Sequence, residues 1–330
     1  MDQMDWWQAV VLGLVEGLTE YLPISSTGHL ILAQQAIGIP EGRAANAYAI
    51  CIQAGAILAV LGLYWPRVRQ MLRGLAGRIG WGAPEEDGLR LAVNVVVAFF
   101  PAAVIGLLFD EQIEQYLLGL WPIVAAWFLG GAAILWVARG RRLAASAGGR
   151  SSASEKTNSR RDLMQLTWKA SLAIGLMQCL AMWPGTSRSL VTIVGGVVVG
   201  LSLSAAVEFS FLLGVVTLLA ATGYKAIDAG PVMYEAYGLA PMLLGTLAAW
   251  ISAVIAVKWM VTYLRSNGME LFGYYRIGIA GLVAACLLTG RLANRSATSA
   301  TAWPQAPAWG NQLGGDVSAA TRLQPLPIVE

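Results

Sequence analysis

Gly13-Leu14-Val15-Glu16-Gly17-Leu18-Thr19-Glu20-Tyr21-Leu22-Pro23-Ile24-Ser25-Ser26-Thr27-Gly28-His29-Leu30 sets the polar groups of a reaction site inside an otherwise apolar segment. Glu16 and Glu20 are four apart, so a helix stacks them on one face. Two like charges there repel, and in a bilayer each needs a cation, a proton or water. Pro23 lacks an N–H and disfavours helix at Leu22, which ends the first helix. Any of Ser25, Ser26 and Thr27 can cap a second helix running through His29 to about Gly38. The reading is helix, break, helix, with the positive N-terminus of the second helix aimed at the break as an anion site. Hydroxyls beside a proline break often do no more than satisfy freed backbone groups. Two carboxylates and the chain's only histidine in the same short segment argue for chemistry instead.

The rest of the chain supplies the setting. Of 330 residues 57% are apolar and 12% charged, and the mean hydropathy is +0.60, the composition of a polytopic membrane protein. A net charge of +3 is too small to point to nucleic acid. Cys51, Cys179 and Cys286 lie in apolar stretches and read as small core residues, with no disulfide framework. The acidic N-terminus, Met1-Asp2-Gln3-Met4-Asp5, lacks the basic region of a cleaved signal peptide and is expected to stay.

Residues 6–22 and 30–39 are each too short to cross about 30 Å of hydrocarbon, and together predict a re-entrant helical hairpin. Spans follow at 46–65, 91–109 and 121–137. A second broken stretch, 172–200, carries Trp183-Pro184-Gly185-Thr186-Ser187-Arg188-Ser189 at its middle, and spans at 205–224, 239–261 and 271–289 complete the series. The broken stretches resemble each other. Gly13-Leu14-Val15-Glu16 matches Gly175-Leu176-Met177-Gln178, and Pro23-Ile24-Ser25-Ser26 matches Pro184-Gly185-Thr186-Ser187 after a one-residue shift. The expected fold is an all-α polytopic membrane protein of two inverted-topology repeats, each a re-entrant hairpin followed by three transmembrane helices. The inversion follows from an odd number of crossings between the repeats, and such folds put their sites near the midplane. Residues 1–290 form one membrane domain, with repeats at 6–138 and 165–290 and a cytoplasmic loop at 139–165. Residues 291–330, rich in Ala, Ser, Gly, Pro and Gln, read as a disordered tail.

With the N-terminus outside, Arg67, Arg69, Arg73, Arg78 and Arg90 fall in one cytoplasmic loop. Arg139, Arg141, Arg142, Arg150, Lys156, Arg160 and Arg161 fall in the next. The outer loops then hold mainly Asp110, Glu111, Glu114, Asp228 and Glu235, which the positive-inside rule favours.

Arg188 sits deep in an apolar stretch among Thr186, Ser187 and Ser189 and needs an anionic partner, either Glu16 or Glu20 or a phosphate. Glu208 reads as a carboxylate near a helix N-terminus. Two carboxylates, an imidazole, a guanidinium, hydroxyls and two helix N-termini are the parts for phosphoryl transfer on an amphiphilic substrate. The rival class is a secondary transporter or flippase of a phosphorylated lipid, which uses the same architecture and buried charges.

Glu16-x-x-x-Glu20, Pro23-x-Ser25-Ser26-Thr27-Gly28-His29, Pro184-Gly185-x-Ser187-Arg188-Ser189 and Glu208-Phe209-Ser210-Phe211-Leu212-Leu213 together resemble the bacterial undecaprenyl pyrophosphate phosphatases, the bacitracin-resistance family. The resemblance covers about residues 6–290. It implies hydrolysis of undecaprenyl diphosphate to the monophosphate and phosphate, recycling the lipid carrier of peptidoglycan synthesis, and bacitracin resistance. It also implies an inner-membrane enzyme with its site toward the periplasm, and a divalent cation, Mg²⁺ or Ca²⁺, which Glu16 and Glu20 would hold. Three mechanisms stay open: attack by Ser26 with Glu20 or His29 as base, attack by His29, or water activated by Glu20 with Glu16 in support. In the first, Arg188 and the two helix N-termini neutralise the transition state, and Ser25, Thr27, Thr186, Ser187 and Ser189 are assigned to phosphate contacts. A homodimer is left open by the sequence.

Overall fold

The structure is a computed structural model that describes residues 4–40, 42–147 and 162–292. Among the described residues there are twelve α-helices and no strand. They are α1 (Trp6–Thr19), α2 (Ser26–Ala36), α3 (Arg43–Cys51), α4 (Gln53–Leu63), α5 (Trp65–Arg78) and α6 (Glu86–Leu117). α7 (Leu120–Ala147), α8 (Trp168–Gln178), α9 (Arg188–Val198), α10 (Leu203–Tyr237), α11 (Leu239–Ser266) and α12 (Glu270–Leu288) complete the set. Local chemistry explains the starts. The Oγ1 of Thr167 accepts from the N–H of Ala170 at 3.3 Å to open α8, and Ser202 Oγ accepts from Ala205 N at 3.2 Å to open α10.

Six segments are long and apolar enough to cross a membrane: Arg43–Leu63, Glu86–Phe109, Leu120–Gly140, Leu203–Tyr237, Leu239–Ser266 and Glu270–Leu288. They coincide with the six expected spans. The broken stretches form the two expected helix pairs, α1 with α2 and α8 with α9, and the members of each pair pack on each other. At 11 residues, α2, α8 and α9 are too short to cross a bilayer, at about 1.5 Å per residue.

Several boundaries differ from the sequence reading. The span expected at 46–65 is interrupted at Ile52, between α3 and α4. The basic loop after it contains α5, an amphipathic helix started by Pro66 and exposing Leu72 and Leu75 beside its arginines. α6 runs on to Leu117 and α7 to Ala147, so part of the loop expected at 139–165 is helical. Charged residues end an apolar run without ending a helix, because Arg, Glu and Gln are good helix formers once outside the hydrocarbon. Leu163–Gln165 form a 3-10 turn at the end of that loop, and residues 148–161 and the tail from 293 onward lie outside the described residues. The three cysteines are free and half-buried, not core.

The helices before residue 148 interleave with those after 161. α1 packs most extensively on α11, α7 on α12, α4 on α11, α6 on α8 and α3 on α10. The α1–α11 contact is close because Gly13 and Gly17 face it: a Cβ at Gly13 would strike the Gly245 carbonyl, and one at Gly17 the Ala249 carbonyl and Ser252 Oγ. Small residues four apart let two helix backbones approach in lipid, where packing must replace the hydrophobic drive. Beside this contact, Tyr21, Phe209, Phe211, Leu212 and Met260 fill a large apolar core against which the first break is seated.

Candidate active site

Both breaks turn on a serine in the left-handed region: Ser25 at φ 74 and Ser187 at φ 75. Their ψ values, 105° and 112°, agree as well, and each serine is the residue before its helix, α2 or α9. Non-glycine residues held there cost on the order of 1–3 kcal/mol and cluster at functional sites. This match corrects the alignment of the two stretches. Ser25, and not Ser26, is the counterpart of Ser187; Ser26 corresponds to Arg188, and Glu16 to Gln178. The first residues of the two short helices are therefore a hydroxyl and a guanidinium.

Glu20, just past the end of α1, joins them. Ser26 Oγ donates to Glu20 Oε2 at 2.5 Å. Arg188 Nη2 donates to Glu20 Oε1 at 3.1 Å in an ion pair whose side chains are 9% and 6% exposed. Of the two carboxylates open to Arg188 from sequence, the structure selects Glu20. Arg188 Nη1 donates to the Ser210 carbonyl at 3.0 Å, and its guanidinium lies 5.3 Å from the Tyr21 ring centroid, a cation–π contact. Nε of Arg188 has no partner among the described residues.

A pocket of about 160 Å³ opens against this group, lined by Glu20, Ser25, Ser26, Thr27, Ser187 and Arg188 together with Gln53, Gln178, Thr217 and apolar neighbours. It has room for a phosphate group together with water. Ser25 makes no capping bond with its hydroxyl, leaving the first N–H groups of α2 for a ligand. Ser187 does cap, accepting from Leu190 N at 3.3 Å.

The other candidates divide. Glu16 is fully buried, and neither carboxylate oxygen has a partner among the described residues. Ser189 donates to the Leu22 carbonyl at 2.9 Å and lies 3.0 Å from Ser187 Oγ, so it ties α9 to the first break. Thr186 does not line the pocket; its N–H donates to Trp183 within the second turn. His29 also lies outside the lining. Its Nδ1 is 2.6 Å from the Ser25 carbonyl, which only accepts, so Nδ1 carries the proton and Nε2 accepts from Tyr275 Oη at 2.8 Å. The ring is stacked on Tyr275 and tilted against Trp127. Glu208 accepts from Arg67 Nε at 2.6 Å, linking α10 to α5.

Arg276 was missed from sequence. It is fully buried, and its guanidinium donates to four carbonyls: Pro23 at 3.3 Å, Ala126 at 2.8 Å, Trp127 at 3.3 Å and Gly185 at 2.9 Å. One side chain on α12 thus clamps both breaks against α7. The available signal was an arginine in the apolar run of α12, since an intramembrane cation is costly without a purpose. Gln53 and Thr217 were missed as well, and carry no distinctive signal.

Among the described residues, no group of three or more His, Cys, Asp and Glu side chains is placed to hold a metal by itself. Glu16 does not line the pocket, but its two unpartnered oxygens are of the type a hard cation takes, with substrate and water completing its shell.

Comparison with known proteins gives the family. Residues 9–282 match the family model described as "Bacitracin resistance protein BacA". The chain belongs to this family. Among its relatives, the undecaprenyl-diphosphatase of Verminephrobacter eiseniae is 39% identical over 290 residues, covering 88% of this chain and 98% of the relative. That of Sorangium cellulosum is 40% identical over 281 residues, 85% of this chain and 86% of its own. The Nitrosomonas europaea protein, of the same name, is 39% identical over 290 residues, 87% and 97%. The family match takes in both breaks, five of the spans and the first part of the sixth, and stops before the tail.

Proposed function

We infer that this chain hydrolyses undecaprenyl diphosphate to undecaprenyl phosphate and phosphate, recycling the lipid carrier for peptidoglycan synthesis and giving bacitracin resistance. The single observation that carries the chemistry is Glu20 held between Ser26 Oγ and Arg188 in a phosphate-sized pocket of a membrane-embedded helical fold.

The residues divide the work as follows. The lipid's terminal phosphate enters the pocket at the N-termini of α2 and α9 while its tail stays among the spans. Ser26 Oγ attacks the terminal phosphorus, its proton passing along the existing hydrogen bond to Glu20 Oε2. The phosphorus–oxygen bond to the inner phosphate breaks, and undecaprenyl phosphate departs. Water then attacks the phosphorus carried by Ser26, the bond to Ser26 Oγ breaks as that oxygen takes back the proton held by Glu20, and phosphate leaves carrying the protons of the water. Arg188 and the free N–H groups of the two helix ends meet the charge spread over the phosphoryl oxygens. Both His29 nitrogens are already engaged, which favours Ser26 over His29 as nucleophile and gives His29 the task of holding the Ser25 turn. Glu16 and Glu20 would hold Mg²⁺ or Ca²⁺, which when bound supplies positive charge to the diphosphate.

We place the enzyme in the bacterial inner membrane with its N-terminus and pocket toward the periplasm, and read the two halves as inverted repeats that meet at the site. Phosphate release from a long-chain polyprenyl diphosphate by purified protein in detergent, with Mg²⁺ or Ca²⁺, tests the reading. Release by the wild type and its loss in Arg188→Ala support a hydrolase; a folded wild type that releases none with either ion overturns it and turns attention to lipid transport in liposomes.

A further inference from the structure

Gln178 ends α8 just as Glu16 lies near the end of α1, and the sequence offers it either a place in the site or a hydrogen bond in the core. The core supplies no such bond. Gln178 is fully buried, yet neither its amide oxygen nor its amide nitrogen has a partner among the described residues. It is also the least exposed polar residue lining the pocket that holds Ser26 and Arg188. A buried primary amide with no partner lowers stability, since its donors and acceptor have lost water without replacement. Such a group is retained where a ligand completes it.

We propose that Gln178 is a substrate-binding residue whose amide N–H donates to the diphosphate headgroup of the lipid. Three of the pocket's positive contributors lie on the α2 and α9 side: the N-termini of those helices and Arg188. Gln178 reaches the pocket from the end of α8, so it adds a neutral donor from another direction. A neutral donor suits that place. It holds a headgroup oxygen without competing with Arg188 for Glu20, and an acid there would repel the phosphate. The two hairpins would then contribute unlike groups at equivalent positions, an anion at Glu16 and a phosphate donor at Gln178.

The inference rests on the diphosphatase reading, and one set of measurements separates the two. Gln178→Met keeps the length and flexibility of the side chain and removes its polarity, and Gln178→Leu does so with a different shape. Each purified variant is melted in detergent and assayed for phosphate release over a range of polyprenyl diphosphate concentrations. The expected result is kcat/KM lower by about 10- to 100-fold, the worth of a hydrogen bond to a charged group, with a melting temperature equal to or above that of the wild type. A structural role predicts the opposite pattern, a lower melting temperature with kcat/KM kept in the molecules that stay folded. Wild-type kcat/KM in either folded variant, or loss of the fold in both, overturns the assignment of Gln178. Absence of release by the wild type itself would overturn the diphosphatase reading instead.

Discussion

Replacing Arg276 by methionine removes the donors that hold both breaks. Two of its four acceptors, the carbonyls of Pro23 and Gly185, lie in the breaks, outside any helix ladder. Left buried without a donor, each costs about 1–3 kcal/mol, for a loss of about 2–6 kcal/mol. Relief of a buried guanidinium returns part of this, since apolar replacements of buried ionic groups can gain about 1–4 kcal/mol. A net destabilisation of about 2 kcal/mol is expected, read as a drop of a few degrees in the detergent melting temperature. Activity should fall further than stability. Ser26 follows the Pro23 turn and Arg188 the Gly185 turn, and misplacement of reacting groups by about 1 Å costs about 100-fold in rate. Arg276→Lys should recover only part of the loss, because a point charge cannot span carbonyls from three chain segments. Wild-type kcat and melting temperature in Arg276→Met would refute the clamp.

Four other substitutions probe separate parts of the structure. Ser26→Ala should lower phosphate release by at least about 1000-fold if Ser26 is the nucleophile; activity near the wild type would leave direct attack by water as the mechanism. Tyr275→Phe removes only the hydroxyl facing His29 Nε2, so kcat should fall about 2- to 10-fold, the worth of a neutral hydrogen bond; a loss beyond about 100-fold would mean the phenol takes part in chemistry. Gly17→Leu forces a side chain against the Ala249 carbonyl and Ser252 Oγ and should leave no monodisperse protein on size exclusion. Gly62→Ala, pointing into open space on α4, should melt at or slightly above the wild type, and equal behaviour of the two variants would dismiss the α1–α11 contact as a determinant.

The parts of this fold that were legible in the sequence are those fixed by local chemistry. The six spans show as long apolar runs, and the breaks show because Pro23 and Pro184 interrupt such runs. α1 nevertheless ends at Thr19 and α8 at Gln178, ahead of the prolines, and of Ser25 and Ser187 only Ser187 caps the helix that follows. The pairing of Arg188 with an acid followed from the cost of a lone guanidinium at depth, although only the packed structure chooses Glu20 over Glu16. The register between the two breaks was misread by one residue, since aligning the prolines hides the equivalence that backbone angles at Ser25 and Ser187 expose. His29 could be placed within a turn of the serines. Its withdrawal from the pocket depends on Tyr275 and Trp127, which come from remote helices, and no local pattern encodes that. Arg276 was hidden for the same reason: its four acceptors belong to three distant segments.

The interleaving of early and late helices bears on how the protein is made. The glycine face of α1 is complementary to α11, and the first break is clamped from α12, so α1 and the first break leave the ribosome well before the helices that hold them. Until α11 and α12 arrive, the glycine face of α1 and the Pro23 carbonyl wait in the membrane without their final neighbours. Synthesis must therefore proceed through an intermediate in which α1 is loosely held, at an interface or by insertion machinery. A chain truncated before α12 would contain every residue of the Ser26–Glu20–Arg188 group and still lack the part that assembles it.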